Sequence, residues 1–180
     1  MKKLIISFVT ILSILTYLNK AMAQNNNSEN TLYIDLQYGR VEIEMFPDIA
    51  PKHVERIKVL TKKGFYDGIV FHRVISGFMA QTGDPTGTGR GGSDLPDLPA
   101  EFNSEPHSRG AVSMARAQSP NSANSQFFIV TDDSNFLDGQ YTVWGRVTKG
   151  MEFVDKIKKG EGPNGSVNNP DKMIKVSLAR

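Results

Sequence analysis

Cysteine is absent from the 180 residues, which excludes disulfides, thiolate nucleophiles and attachment of a lipid through a thiol. Histidine is scarce. His53, His72 and His107 are the only three, and no two stand at helical or zinc-ligand spacing, so a metal site has little to stand on. No G-x-S-x-G elbow occurs, so nothing marks out a serine nucleophile. A surplus of one charge is also missing: 21 Lys and Arg stand against 19 Asp and Glu. Three of the lysines, Lys2, Lys3 and Lys20, lie in the first 23 residues, which hold no acidic residue. Without that segment the balance is 18 against 19, a net charge of −1, which gives no support to nucleic-acid binding, for which a basic face is needed.

Long apolar runs are limited to one. Residues 4–18 are uncharged and mostly apolar, follow Lys2 and Lys3, and lead to Ala21, Met22 and Ala23. A basic start, a short apolar run and an A-x-A site read as a secretory signal peptide spanning 1–23 and cut after Ala23. The run is shorter than the roughly 20 residues of a spanning helix, so no stable membrane insertion is expected after cleavage. The destination is the periplasm in a two-membrane envelope and the medium otherwise. Residues 24–30, "QNNNSEN", form a flexible polar leader, and 31–180 are read as one domain.

What is there is mostly strand. Leu32, Ile34 and Leu36 alternate with polar residues, as do Val41, Ile43 and Met45 after the "YGR" turn, which predicts a hairpin. "APKHVERIKVLTKKG" changes period: Ala50, Val54, Ile57 and Leu60 share a helical face, with Pro51 in the first turn and Gly64 at the stop. "GMEFVDKIKKG" repeats the device with Met151, Val154 and Ile157, ending at Gly160. Between them lie the short apolar runs "IVFHRVI", "GAVSMA", "SQFFIVT" and "YTVWGRV", and Ile174, Val176 and Leu178 alternate near the end. Many short strands with only two helices favour a mainly β fold, a closed antiparallel barrel. The polar stretches near 90–110 and 160–170 read as ordered surface loops.

Two features within "FHRVISGFMAQTGDPTGTGRGGS" bear on function. Gly87, Gly89 and Gly92 match G-x-G-x-x-G, but they lead into Pro96 and Pro99 rather than a helix, so the stretch is a turn and not a dinucleotide site. Arg73 is a permanent charge in an apolar run, costly to bury without partners. In a period-two strand, Phe71, Arg73 and Ile75 share one face and Val70, His72 and Val74 the other. A turn through Ser76 and Gly77 then brings Phe78, Met79 and Gln81 back beside Arg73.

That run, together with "SMARAQSPNSANSQFFIVTDDSNFLDGQYTVWGRV", resembles the cyclophilin family of peptidyl-prolyl cis-trans isomerases, and the resemblance covers essentially residues 31–180. It implies an eight-stranded antiparallel β-barrel capped by two α-helices, with the site in a groove outside the barrel. It implies Arg73 as the catalytic residue, steadied by Gln81. Phe78, Met79, Phe128 and Leu137 match the proline pocket, and Gln126 a second polar wall residue. Ala115, Arg116 and Ala117 match the segment whose backbone pairs with peptide, while His72 and Gly87 fall near the groove rim. The implied partners are proline-containing unfolded or flexible polypeptides; rotating an amide makes and breaks no bond and so calls for no cofactor or metal, and the even polar surface pattern suggests a monomer.

The chain departs from the family pattern at several places. Ser76 stands where many members have proline, Arg116 where asparagine is common, Phe136 where many eukaryotic members have tryptophan, and Tyr141 where they have histidine. The loop between Ala117 and Gln126 is one residue longer than the commonest eukaryotic version, as in bacterial members. Because that indole is a main contact for cyclosporin, weak binding of the drug is expected. Two functions fit this reading: an isomerase assisting the folding of exported proteins, or a proline-peptide binding module with incidental turnover.

Overall fold

The computed structural model describes residues 29–179; the signal peptide read over 1–23 and residues 24–28 of the leader lie outside them. The expected hairpin is present. β1 (Thr31–Leu36) and β2 (Gly39–Met45) pair antiparallel, with Leu32 opposite Ile43 and Ile34 opposite Val41. The alternating apolar residues of both strands are buried and their polar neighbours line the wetter face, as period-two patterning requires.

Helix α1 (Pro51–Lys62) follows. Val54, Ile57 and Leu60 are buried in the core, and Gly64 ends the element with φ +67°, a left-handed conformation open to glycine. The first turn lacks a cap from its own N-cap residue, Ala50. Glu101, from a distant loop, supplies it: its carboxylate accepts the backbone N–H groups of Lys52 and His53, each at 3.1 Å, which would otherwise be unpaired at a helix start. The same carboxylate lies 2.7 Å from His53 Nδ1. Burial lowers the pKa of His53 against the opposing pull of Glu101. Burial tends to raise that of Glu101, but the hydrogen bonds from His53 and the two amides hold it below the ordinary value. The pair is a neutral imidazole donating to a carboxylate.

Six strands follow: β3 (Arg73–Ile75), β4 (Met79–Thr82), β5 (Ala111–Met114), β6 (Phe127–Val130), β7 (Val143–Lys149) and β8 (Lys175–Leu178). With β1 and β2 they form one antiparallel sheet in the order β3-β4-β6-β5-β7-β2-β1-β8. The edge strands β3 and β8 do not pair directly. The segments before them do: Val70 bridges Lys172, the Phe71 amide donates to the Asp171 carbonyl at 2.8 Å, and Gly68 and Ile69 exchange bonds with Met173. The curled sheet therefore meets itself through an irregular seam rather than through a regular eighth ladder.

β5 and β6 are buried at every position, which explains why "FFIV" shows no alternation: strands covered on both faces read as continuous apolar runs. Val112, Met114, Phe127 and Ile129 face the main core. Ala111, Phe128 and Val130 face a second cluster, with Met79, Leu137 and Val143. That outer cluster is the floor on which the site is built.

Three local expectations are corrected. Phe71 does not share the face of Arg73. Residues 71 and 72 lie outside any strand, the seam diverts the chain there, and Phe71 enters the core beside Val74. The second helix, α2, covers only Met151–Val154. Ile157 remains buried, but the next amides are captured elsewhere: Lys158 N–H bonds the Asp171 carboxylate at 2.8 Å and Gly160 N–H the Val74 carbonyl at 2.8 Å. At the last strand Ile174 is 51% exposed. Met173, held by the seam, takes the core position, and the chain bends before β8 begins.

Candidate active site

The site grows from the β3–β4 hairpin. Residues 76–78 form the turn, and Arg73 stands opposite Gln81, Val74 opposite Ala80 and Ile75 opposite Met79. Val74 points into the core, so period-two alternation turns Arg73 outward, half-buried on the outer face. Its guanidinium is held at two places. Nη1 donates to Gln81 Oε1 at 3.1 Å, and Nε donates to the backbone carbonyl of Asn164 at 3.0 Å. Nη2 has no acceptor among the described residues. Gln81 is held in turn: its Nε2 donates to Gln126 Oε1 at 2.9 Å. The Gln126 amide then bonds the carbonyls of Gly89 and Gly91 at 3.1 and 2.8 Å. The arginine is thus the last member of a polar chain fastened to the glycine-rich loop.

Beside Arg73 lies a pocket of about 230 Å³ whose walls include Phe78, Met79, Phe128, Leu137 and Tyr141. Tyr141 meets Phe128 edge to face, with ring centroids 5.7 Å apart. Phe136 stands at the mouth, 65% exposed, its ring 5.4 Å from that of Phe78. A second, larger depression of about 550 Å³ continues past Gln81, Ala115 and Arg116 and is lined by Ala117, Gln126 and the glycine loop. The two share one rim, so the groove suits an extended chain rather than a compact small molecule.

Arg116 crosses that rim. Nε and Nη2 donate to the Gln140 carbonyl at 3.2 and 2.9 Å. Nη1 donates to the carbonyls of Ala117 and Gln118 at 3.0 and 3.1 Å, and the guanidinium carbon sits 4.6 Å from the Tyr141 ring centre. A residue matched to the family through its backbone therefore also uses its side chain, to tie the two loops that border the groove.

The structure brings together Arg73, Phe78, Met79, Gln81, Ala115, Arg116, Ala117, Gln126, Phe128, Leu137 and Tyr141 as walls, with Phe136 at the mouth. It does not bring His72 or Gly87 to them. His72 is buried, with neither ring nitrogen partnered among the described residues, and lies beneath the glycine loop; a Cβ placed at Gly89 would stand 3.4 Å from its ring. Gly87 faces Val70 instead. The seam that pulls Phe71 inward also carries His72 out of the groove.

Several contributors escape sequence reading. Asp84 organises the glycine loop: its carboxylate accepts the amide and hydroxyl of Thr86 at 2.7 and 2.8 Å and the Gly89 amide at 2.6 Å. Burial alone would raise its pKa, but these bonds and that of the Gly91 amide bring it down to about 2. The Asp-Pro-Thr spacing is an Asx-turn signal that was open to reading. Behind Phe128, His107 stacks at 6.2 Å between ring centres. Its Nδ1 lies 2.9 Å from Asp138 and its Nε2 3.0 Å from Ser113 Oγ. This imitates an Asp-His-Ser triad, yet Ser113 is fully buried and its hydroxyl also donates to the Thr142 carbonyl. No substrate reaches it, and the three residues brace the pocket wall.

Comparison with known proteins agrees with this geometry. Residues 31–178 match the model of the cyclophilin type peptidyl-prolyl cis-trans isomerase family. A probable peptidyl-prolyl cis-trans isomerase of Brucella suis is 57% identical, over 83% of each chain. A peptidyl-prolyl cis-trans isomerase-like protein of Neurospora crassa is 39% identical, over 82% of this chain and 91% of its own. Among solved structures, a cyclophilin from Hirschia baltica superposes with a TM-score of 0.76 at 31% identity, covering 84% of this chain and 74% of that one. A Cryptosporidium parvum cyclophilin studied in the presence of the dipeptide Ala-Pro gives 0.77 at 28% identity, covering 83% and 99%. A β-sheet curled around one core, an anchored arginine beside an apolar pocket, and a family match across the described domain lead to one assignment: this chain belongs to the cyclophilin-type peptidyl-prolyl cis-trans isomerases.

Proposed function

We propose that the protein accelerates X–Pro isomerisation during the folding of exported polypeptides, with Arg73 as its catalytic residue. The observation that carries the mechanism is the state of that guanidinium. Two of its nitrogens are fixed by Gln81 and Asn164, Nη2 has no acceptor among the described residues, and Arg73 lines the apolar pocket.

An X–Pro bond favours trans by only about 0.5–1 kcal/mol, yet crosses unaided in tens to hundreds of seconds. The obstacle is amide resonance, a barrier of roughly 18–20 kcal/mol. No bond is made or broken, so no nucleophile or proton relay is required. The site must hold the twisted amide more tightly than either planar form. Twisting localises a lone pair on the proline nitrogen, and a preorganised cationic donor meets charge that develops only midway, an effect worth ~3–4 kcal/mol per donor elsewhere. Phe78, Met79, Phe128 and Leu137 hold the ring and keep water away, which strengthens the guanidinium field. The Ala-Pro dipeptide used with the Cryptosporidium parvum cyclophilin supports a proline peptide as the ligand class. Ala115, Arg116 and Ala117 line the neighbouring depression, where the peptide flanking proline would run.

Export follows from the reading of residues 1–23, and periplasm or medium from the envelope of the source. The test is cis-to-trans isomerisation of a proline tetrapeptide by residues 24–180, beside Arg73→Ala. Activity lost with the arginine supports the mechanism. A folded but inactive wild type would favour the peptide-binding module. The mass of the exported protein checks its start at Gln24.

A further inference from the structure

We infer that residues 160–166, "GEGPNGS", form a clasp that aims Arg73, with the backbone carbonyl of Asn164 as a positioning group; this rests on the isomerase reading above. The loop closes on itself. Glu161 bridges Ser166, and the Gly165 amide bonds the Gly162 carbonyl at 3.2 Å around Pro163 and Asn164. Proline at the second and glycine at the fourth position of such a turn are the residues it favours. The turn then grips β3 at the residue after Arg73. The Val74 carbonyl accepts Gly160 N–H and its amide donates to the Gly165 carbonyl, both at 2.8 Å. Ser166 bridges Arg73 itself.

The grip leaves no room for side chains. A Cβ at Gly160 would meet the Gly165 carbonyl oxygen at 1.9 Å; one at Gly165 would meet Ile75 Cγ1 at 2.4 Å and the Val74 carbonyl at 2.9 Å. Gly165 also has φ +66°. The result is that the Asn164 carbonyl stands 3.0 Å from Arg73 Nε. Gln81 alone would fix the guanidinium at one nitrogen and leave it free to swing about that bond. The second anchor sets its plane, and with it the direction of Nη2. None of the clasp residues lines the apolar pocket, so the clasp acts on the arginine without touching the proline ring.

The structure therefore separates two kinetic constants. Gly165→Ala disturbs the aim of a group needed in the twisted state, and the side chain it presses on, Ile75, packs against the outer cluster without lining the ring pocket. The expected result is kcat lowered at least fivefold with KM within twofold. Gly68→Ala is the matched control: φ is +80° there, open space surrounds the position, and it lies outside the site. It should lower the melting temperature through the same positive φ, though less than Gly165→Ala, with kcat unchanged. In wild type the Arg73 Nε–H should be protected from solvent exchange by NMR, and Gly165→Ala should remove that protection. Unchanged kcat in a folded Gly165→Ala protein, or equal losses of kcat in both variants, overturns the clasp. Should Gly165→Ala fail to fold, the wild-type signal decides: a protected Nε–H upholds the clasp and a freely exchanging one overturns it. A wild type without turnover would instead defeat the isomerase reading, while the exchange measurement would still judge the anchor.

Discussion

Arg73 and Gln81 are direct cross-strand partners, and their side chains meet at 3.1 Å across the same rung that joins their backbones. The guanidinium is therefore registered to the hairpin rather than hung from it. Arg73→Ala should cut kcat/KM at least tenfold in the tetrapeptide assay and leave the circular dichroism spectrum unchanged. Arg73→Lys should recover little of the loss. An ammonium lacks the planar fork that bonds Gln81 and Asn164 together and still presents a donor. Wild-type turnover in folded Arg73→Ala would end the mechanism.

Arg116 offers a contrast, because its hydrogen bonds run to loop carbonyls, those of Gln140, Ala117 and Gln118, and not to the polar chain that ends at Arg73. Its loss should loosen the rim without emptying the ring pocket. Arg116→Ala is expected to keep kcat/KM within about threefold on the best tetrapeptide while changing the ranking of substrates that differ beside proline. A substrate series with varied flanking residues measures this, and an unchanged ranking would show that the tether has no part in selection.

How far the sequence announces this site depends on what kind of group each part is. The β1–β2 hairpin and α1 follow from periodicity, because one face of each is buried and the other wet. Arg73, Gln81 and the pocket residues were legible only through the long motifs of the resemblance, since a half-buried arginine has ordinary structural explanations. The Asn164 carbonyl was not legible at all. It is a backbone atom supplied 91 residues along the chain from the arginine it holds, and every residue has one. Phe71 and His72 were misplaced for a related reason: the alternation of "IVFHRVI" is broken by backbone bonds to residues 171 and 167, which leave no mark in the run itself. The shortened α2 is the same lesson, with Asp171 and Val74 taking amides that the helical pattern assigns to the helix.

Phe136 is 65% exposed and leans on Phe78 at the pocket mouth. A phenyl ring there offers less surface than an indole and no N–H donor. Wild type should bind cyclosporin weakly, and Phe136→Trp should lower the inhibition constant at least tenfold with little change in tetrapeptide turnover. Equal inhibition of the two proteins would mean that other groove residues govern the drug.

Two buried histidines give the fold an acid limit distinct from the chemistry. Burial lowers the pKa of His53 against the pull of Glu101; burial also lowers that of His72, opposed by Asp84 and reinforced by Arg73. Each therefore binds a proton less readily folded than at its ordinary value of 6.5. Below that pH the unfolded chain takes up protons first, so stability falls as pH drops from 6.5 towards the folded values. Glu101 and Asp84 act in a second, lower window. Their folded values lie below the ordinary 4.5 and 3.8, so the stability they contribute is present above those values and lost as pH falls through the folded ones. Thermal melts should be level between about pH 7 and 8, decline below about 6.5, and decline again below about 4.5. His53→Gln cannot take up a proton, so its melting temperature should fall less between about pH 6.5 and 5 than that of wild type. A wild-type melting temperature constant over that interval would show that neither histidine's burial is felt in folding.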